Sequence, residues 1–300
     1  FATTATCAYA DLLLPATTWG EKDGTVTNSE RRISRLRPAI SPAGQSRHDW
    51  AIFTDVGQRL EKLMPHRTAR YSQGVSTLFP YDTPESVWNE HRESTRGRDL
   101  DITGLSYGIL QEQGPQQWPM PQGAKSGQAR LYTDGQFQTD TGKANFSAMR
   151  FEPVAEPRDE RYPFSFNTGR LRDQWHGMSR TGTLGRLFGH VAEPCVELNP
   201  QDMSRLGLQA GDLVQLTSRR GQLIAPAQPS EAIGPMQTYM AMHWGQEYLS
   251  GIAPAGDAIA GVNALTSPAF CPTSKQPELK HAAVRITSPQ LPWRMVAVAW

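Results

Sequence analysis

The sequence predicts an α/β segment followed by a mainly β domain that closes into a small barrel, and three features carry that expectation. Trp50, Phe53, Val56, Leu60 and Leu63 recur at helical spacing in the first part of the chain. From Tyr162 onward, short apolar runs alternate with glycine turns, the pattern of a barrel built from short strands. Between the two lies Phe151–Arg161, FEPVAEPRDER, rich in proline and charge and without periodicity. The domain boundary is placed there, giving residues 1–155 and 156–300.

The elements follow in order. Ala10–Pro15, ADLLLP, reads as a buried strand ended by proline. Trp19–Arg32 is polar and rich in turn residues, so it reads as a loop leaving that strand, where open α/β sheets bind ligands. Ser46 is placed as the cap of a helix running to about Met64. Thr83-Pro84-Glu85 has the form of a cap and first turn for a second helix through Trp88. Residues 114–130, dense in Gly, Pro and Gln, read as an ordered surface loop or a linker. In the second part, strands are expected at Tyr162–Asn167, Cys195–Leu198, Gln237–Trp244 and Ala282–Thr287. A short helix, Pro200–Leu206, should stop at Gly207. Asp212–Ser218 and Gln222–Pro226 flank Arg219-Arg220-Gly221 as a hairpin.

Composition narrows the function classes. The chain has 300 residues, enough for two cored domains, with 38% hydrophobic and 20% charged residues, a globular rather than a disordered balance. No apolar run is long enough to span a membrane. The net charge of +1 argues against broad nucleic-acid binding, although arginine far outnumbers lysine and suits phosphate and carboxylate. Cys7, Cys195 and Cys271 form no C-x-x-C pair, so nothing local points to zinc or an iron–sulfur cluster, and such a sparse set fits a reducing compartment. The chain opens on Phe1 with no basic leader, which reads as a cut inside a longer protein.

Three stretches hold binding chemistry. Thr168–Thr181, TGRLRDQWHGMSRT, directly follows an expected strand and gathers backbone N–H groups, hydroxyls, guanidinium groups and a flat indole. Thr-Gly-Arg alone would more often be a solvated turn; the full stretch is far more specific. Met242–Gly245, MHWG, ends an apolar strand, where a His-Trp pair is ordinarily packing. Asn263 in GVNALT offers both donor and acceptor groups for a pterin or guanine edge, and Lys280 in SKQPELKH offers a point charge. No local Ser/His/Asp arrangement and no Walker-type loop is present.

Together these segments resemble the molybdopterin oxidoreductases that carry bis-molybdopterin guanine dinucleotide with molybdenum, over the chain as far as Thr287. The opening, ATCAYADLLLPATTWGEKDGTVTNSERR, resembles the end of that family's third domain. The part from Tyr162 resembles its fourth, a double-psi β-barrel packed over the cofactor. NEHRESTRGRDLDITGLSY, GPQQWP, GRLRDQWHGMSRTG, MHWG and SKQPELKHAAV resemble the cytoplasmic assimilatory nitrate reductases. By motif, the resemblance implies that Lys22 contacts a dinucleotide and Asp49 reads a guanine. Thr168, Gly169, Arg170, Leu171, Arg172, Asp173, Gln174, Trp175, His176 and Gly177 would wrap a pterin and its phosphates, with Asn263 and Lys280 completing the set. His243 or Trp244 falls where related enzymes place an aromatic residue beside the substrate.

The metal ligand, a cysteine in the nitrate reductases, and a 4Fe–4S cluster are expected only upstream, so no catalytic residue and no metal ligand is assigned here. Cys271 departs from the acidic residue that relatives place before that proline, and residues 288–300 match nothing. The resemblance implies a cytoplasmic enzyme that reduces nitrate to nitrite with electrons from a donor protein or reductase subunit, with no turnover from these residues alone. The same scaffold would also serve a formate dehydrogenase, or a module that only anchors cofactor or docks a partner.

Overall fold

A computed structural model describes residues 4–148, 150–245, 248–249 and 261–289. The chain divides into two compact units, Ala10–Ala148 and Met149–Trp300 with Phe1–Tyr9.

The first unit combines a small antiparallel sheet with short helices. After a 3-10 turn at Trp19–Glu21 come β1 (Gly24–Thr27) and β2 (Arg32–Leu36), then α1 (Asp49–Leu63), α2 (Pro65–Tyr71), α3 (Pro84–Ser94), α4 (Tyr107–Glu112) and β3 (Gln116–Gln117). The sheet order is β1-β2-β3, with Val26 opposite Ser34 and Ile33 opposite Gln116. Ile33, Trp88, Ile102, Leu105, Leu110 and Met120 form its core. Helix α3 starts as expected: the Thr83 hydroxyl accepts from the Ser86 N–H at 3.1 Å and Pro84 fills the first turn.

Four expectations for this unit are corrected. Ala10–Pro15 is not a buried strand: Leu12, Leu13 and Leu14 are 71%, 52% and 49% exposed, and only Ala16 bridges, to Arg47. A short apolar run needs a partner edge to become a strand, and here the pairing is limited to Arg47, which bonds the Pro15 carbonyl and the Thr17 N–H. Trp19–Arg32 is mostly the β1–β2 hairpin rather than a loop, because Thr25, Val26 and Thr27 pair with Arg35, Ser34 and Ile33. The cap of α1 is His48, not Ser46, whose hydroxyl donates instead to the Ala43 carbonyl. The apolar stripe of α1 does not turn inward, since Phe53 and Leu63 are 72% and 77% exposed. The helix packs through a notch at Gly57, where an added Cβ would lie 2.9 Å from the Phe79 ring. Residues 114–130 are indeed ordered, tied down by the Arg31 guanidinium on the carbonyls of Trp118, Gln128 and Ala129.

The second unit is a closed six-stranded barrel, the double-psi barrel implied by the resemblance. Its elements are β4 (Phe164–Gly169), a turn at Thr181–Thr183, α5 (Gly185–Phe188), β5 (Val196–Leu198), α6 (Pro200–Leu206), β6 (Leu213–Thr217), β7 (Gln222–Pro229), β8 (Gln237–Ala241) and β9 (Ala282–Thr287). The strand order is β4-β8-β5-β7-β6-β9, with β4–β8 and β5–β7 parallel and the remaining pairs antiparallel. Alternating residues point inward, so Phe164, Phe166, Val196, Leu198, Val214, Leu216, Val284 and Ile286 meet in one core. Helix α6 starts at Asn199, whose side chain accepts from the Gln201 N–H, and ends at Gly207 in the left-handed region. The β6–β7 hairpin forms with Thr217 opposite Gln222. The expected strand Gln237–Trp244 ends early, at Ala241. Residues 290–300, most of the unplaced tail, lie outside the described residues.

Candidate functional site

Strands β4 and β8 run parallel and end together, Gly169 beside Ala241. The Met242 N–H extends the ladder by donating to the Gly169 carbonyl at 2.8 Å. A Cβ at Gly169 would lie 2.8 Å from the Tyr239 hydroxyl, so a larger residue there would have to displace that ring. The chain then leaves the barrel as the loop Arg170–Gly177.

One side chain spans that loop. His243 is 1% exposed, and its Nε2 accepts the Leu171 N–H at 2.9 Å. The ring proton therefore sits on Nδ1, which donates to the His176 carbonyl at 2.5 Å. Inside the span, the Gln174 amide, also buried, donates to the Leu187 carbonyl at 3.1 Å and accepts from the Thr181 hydroxyl at 2.6 Å. His176 and Met178 adopt positive φ of 46° and 60°, which bends the loop back towards the barrel.

On the outer surface of the loop, Trp175 is 54% exposed, with the Arg170 guanidinium 4.9 Å from its ring centre and His176 edge-on at 4.6 Å. This gives a cation on a flat aromatic surface. Arg172 is placed differently: it makes a two-pronged pair with Asp173 at 3.0 and 2.9 Å. Asp173 also accepts from His190 Nδ1. The hydrogen bond from Arg172, then that from His190, holds the Asp173 carboxyl below its ordinary range. These groups, with Leu171 and Leu187, line a cavity of about 380 Å³.

Lys280 meets the base of the loop, its ammonium donating to the Thr168 carbonyl at 2.5 Å. It also lines a cavity of about 490 Å³ with Ser165, Asn167, Glu197 and Tyr239. Burial, then the Glu197 carboxylate, pushes the Tyr239 hydroxyl up. Asn263 is exposed in a 3-10 turn at Val262–Ala264. In the first unit, Lys22 and Asp49 form an ion pair at 2.5 Å that keeps the Asp49 carboxyl low.

The structure thus brings together Lys22 with Asp49, Thr168 with Lys280, and Arg170 with Trp175 and His176. The two residues expected beside a substrate, His243 and Trp244, are both buried in this chain. Trp244 is 2% exposed in the barrel core, and both His243 nitrogens are taken by backbone, which leaves neither for an anion. His190 was not anticipated, and the Thr181 hydroxyl, expected as a donor of the stretch, is spent inside the loop on Gln174. Their partners lie 17 and 7 residues away, and no local pattern marks such pairs.

Residues 164–283 match the model of a molydopterin dinucleotide binding domain, and residues 1–59 match that of a molybdopterin oxidoreductase. The chain is 41% identical over 96% of its length to a nitrate reductase of Synechocystis sp., of which it covers 38%. It is 33% identical over 94% of its length to the assimilatory nitrate reductase catalytic subunit of Bacillus subtilis, of which it covers 36%. It is also 34% identical over 94% of its length to the F420-dependent formate dehydrogenase subunit alpha of Methanocaldococcus jannaschii, covering 37% of it. The chain therefore spans little more than a third of the length of these relatives. In fold it is similar to acetylene hydratase from Pelobacter acetylenicus, with a TM-score of 0.65 at 17% identity over 94% of this chain and 39% of that one.

Proposed function

The chain belongs to the molybdopterin oxidoreductase family, and on that premise we propose that it is the cofactor-holding part of a cytoplasmic, molybdenum-dependent nitrate reductase. The observation that carries the reading is the chemistry of the Arg170–Gly177 loop, which suits a molybdopterin guanine dinucleotide. An aromatic surface capped by a guanidinium fits a fused ring beside phosphate, as Trp175 and Arg170 offer. Lys280 at the loop's base adds a point charge of the same sign.

Roles divide by what each side chain already holds. Arg170 is the phosphate ligand of the loop, while Arg172, neutralised by Asp173, chiefly shapes it. Trp175 and His176 flank the pterin; Thr168, Gly169, Leu171, Gln174 and Gly177 supply backbone and form. Asn263 reads a ring edge through its amide. Lys22 and Asp49 contact the guanine end of a dinucleotide, with Asp49 kept ionised to accept from the base. When bound, the bis-dinucleotide molybdenum centre supplies two-electron oxygen-atom chemistry, turning nitrate, two protons and two electrons into nitrite and water. This chain's residues bind and orient it and hold its charge. Electrons come from a donor protein or reductase subunit. Among the described residues no helix is long and apolar enough to cross a membrane.

The test is metal analysis and steady-state assay of the full-length enzyme, with nitrate plus reduced viologen and formate plus an oxidant in parallel. Molybdenum with nitrite production is expected. Formate oxidation without nitrite would keep the cofactor site and overturn the substrate.

A further inference from the structure

The buried imidazole of His243 has no part in the roles assigned above, yet it makes the two hydrogen bonds that close the Leu171–His176 span. It lies just past the end of β8, where the β4–β8 ladder has run out of backbone partners. There its ring does what a strand's peptide unit would do, accepting on one edge and donating on the other. The Leu171 N–H and His176 carbonyl it satisfies belong to the segment that carries Arg170, Trp175 and His176 on its outer surface. Two backbone groups in a loop of this kind would ordinarily be left to water.

We propose that His243 is a positioning residue: in its neutral form, protonated on Nδ1 alone, it fixes the backbone of the dinucleotide-binding loop so that Arg170 and Trp175 stand ready for the cofactor. This rests on the reading that the loop holds the dinucleotide. The chemistry required is one acceptor and one donor at fixed separation. A carboxamide supplies both, and a hydrocarbon of similar bulk supplies neither. Preorganisation of this kind acts on retention of the ligand more than on its capture.

The experiment uses the full-length enzyme with His243→Leu, His243→Gln and Arg170→Ala, measuring molybdenum and released pterin per chain, the rate of dinucleotide loss and the melting temperature. His243→Leu is expected to lose cofactor at least tenfold faster, His243→Gln to recover most of the retention, and Arg170→Ala to weaken retention with the fold intact. Wild-type retention in His243→Leu, with loss in Arg170→Ala, would overturn the positioning role and leave the loop as the site. Wild-type retention in both would overturn the site itself. Equal loss in the Leu and Gln variants would show that ring packing, not the paired hydrogen bonds, matters, and would also overturn the proposal. Should His243→Leu not fold, amide exchange at Leu171 in the unmodified holoenzyme decides: strong protection supports the proposal, and exchange at open-loop rates overturns it.

Discussion

The two units stabilise themselves by different means, although both were expected to bury strands. The barrel gathers its inward residues from all six strands into one continuous core, with Val196, Leu198, Val214, Leu216, Leu223 and Val284 at 0% exposure. The first unit has a smaller core around Ile33, Trp88 and Leu105, and leaves Phe53, Leu60 and Leu63 of α1 in the open. A closed barrel has no choice about which face is inside, whereas a helix packed against a loop can do so by whichever surface fits. Gly57, not the apolar stripe, settles that choice in α1. Substitutions should therefore be costly wherever they touch the barrel interior and graded in the first unit.

The sharpest break of that comparison is Phe166→Ala against Phe53→Ala. Phe166 is 1% exposed, so its truncation should cost about 3–5 kcal/mol through lost burial and the cavity left behind. Phe53, at 72% exposed, should change stability by no more than about 0.5 kcal/mol. Chemical denaturation followed by tryptophan fluorescence measures both, and equal costs would show that α1 is covered in solution. Leu105→Ala, at a residue with 0% exposure, should cost about 3 kcal/mol in the first unit. Limited proteolysis should then cut within residues 10–148 while the barrel stays intact; cleavage spread evenly over both units would mean that they unfold as one.

The same contrast explains what was legible in the sequence. The barrel's β9, Ala282–Thr287, and α6, Pro200–Leu206, were readable to the residue, because alternation, Asn199, Pro200 and Gly207 are local signals that agree with the packing. Thr83 and Pro84 marked α3 for the same reason. Ala10–Pro15 was misread because hydrophobicity says that a segment could be buried, not that a partner strand lies beside it. The β1–β2 hairpin was taken for a loop because Gly24–Thr27 is short and polar on one side. At the site, TGRLRDQWHG and the single Lys280 were legible as chemistry. The function of His243 was not, since only the fold shows that both its nitrogens meet backbone from a loop far away in sequence.

A smaller effect inside the barrel unit tests whether its polar ties matter as much as its core. Asp202 is 1% exposed, accepting from the Met236 N–H at 2.6 Å and from Arg205 at 2.9 Å. Met236 has a positive φ of 59°, so the bond also fixes an unusual backbone turn just before β8. Asp202→Ala should cost about 1–2 kcal/mol, because it removes the acceptor of a half-buried N–H and frees that turn. A cost under about 0.5 kcal/mol in denaturant titrations would mean that water replaces the carboxylate there.

The smallest expected effect sits on the surface of the first unit, at Lys22 and Asp49. Their side chains are 28% and 51% exposed, so solvent screens the 2.5 Å pair and it should contribute no more than about 0.5 kcal/mol. Its sign with pH is nevertheless defined. The hydrogen bond from Lys22 lowers the Asp49 carboxyl in the folded chain, so its contribution is fully present above the ordinary carboxylate range and is lost as pH falls through the lowered value. Lys22→Met should therefore be slightly less stable than the parent near neutrality and indistinguishable from it in strong acid, and added salt should narrow the gap at neutral pH. A stability difference that persisted in strong acid, with the Asp49 carboxyl protonated, could not come from the ion pair. It would have to come from the contact of the Lys22 ammonium with Trp19, whose ring centre lies 5.7 Å away and which acid leaves intact.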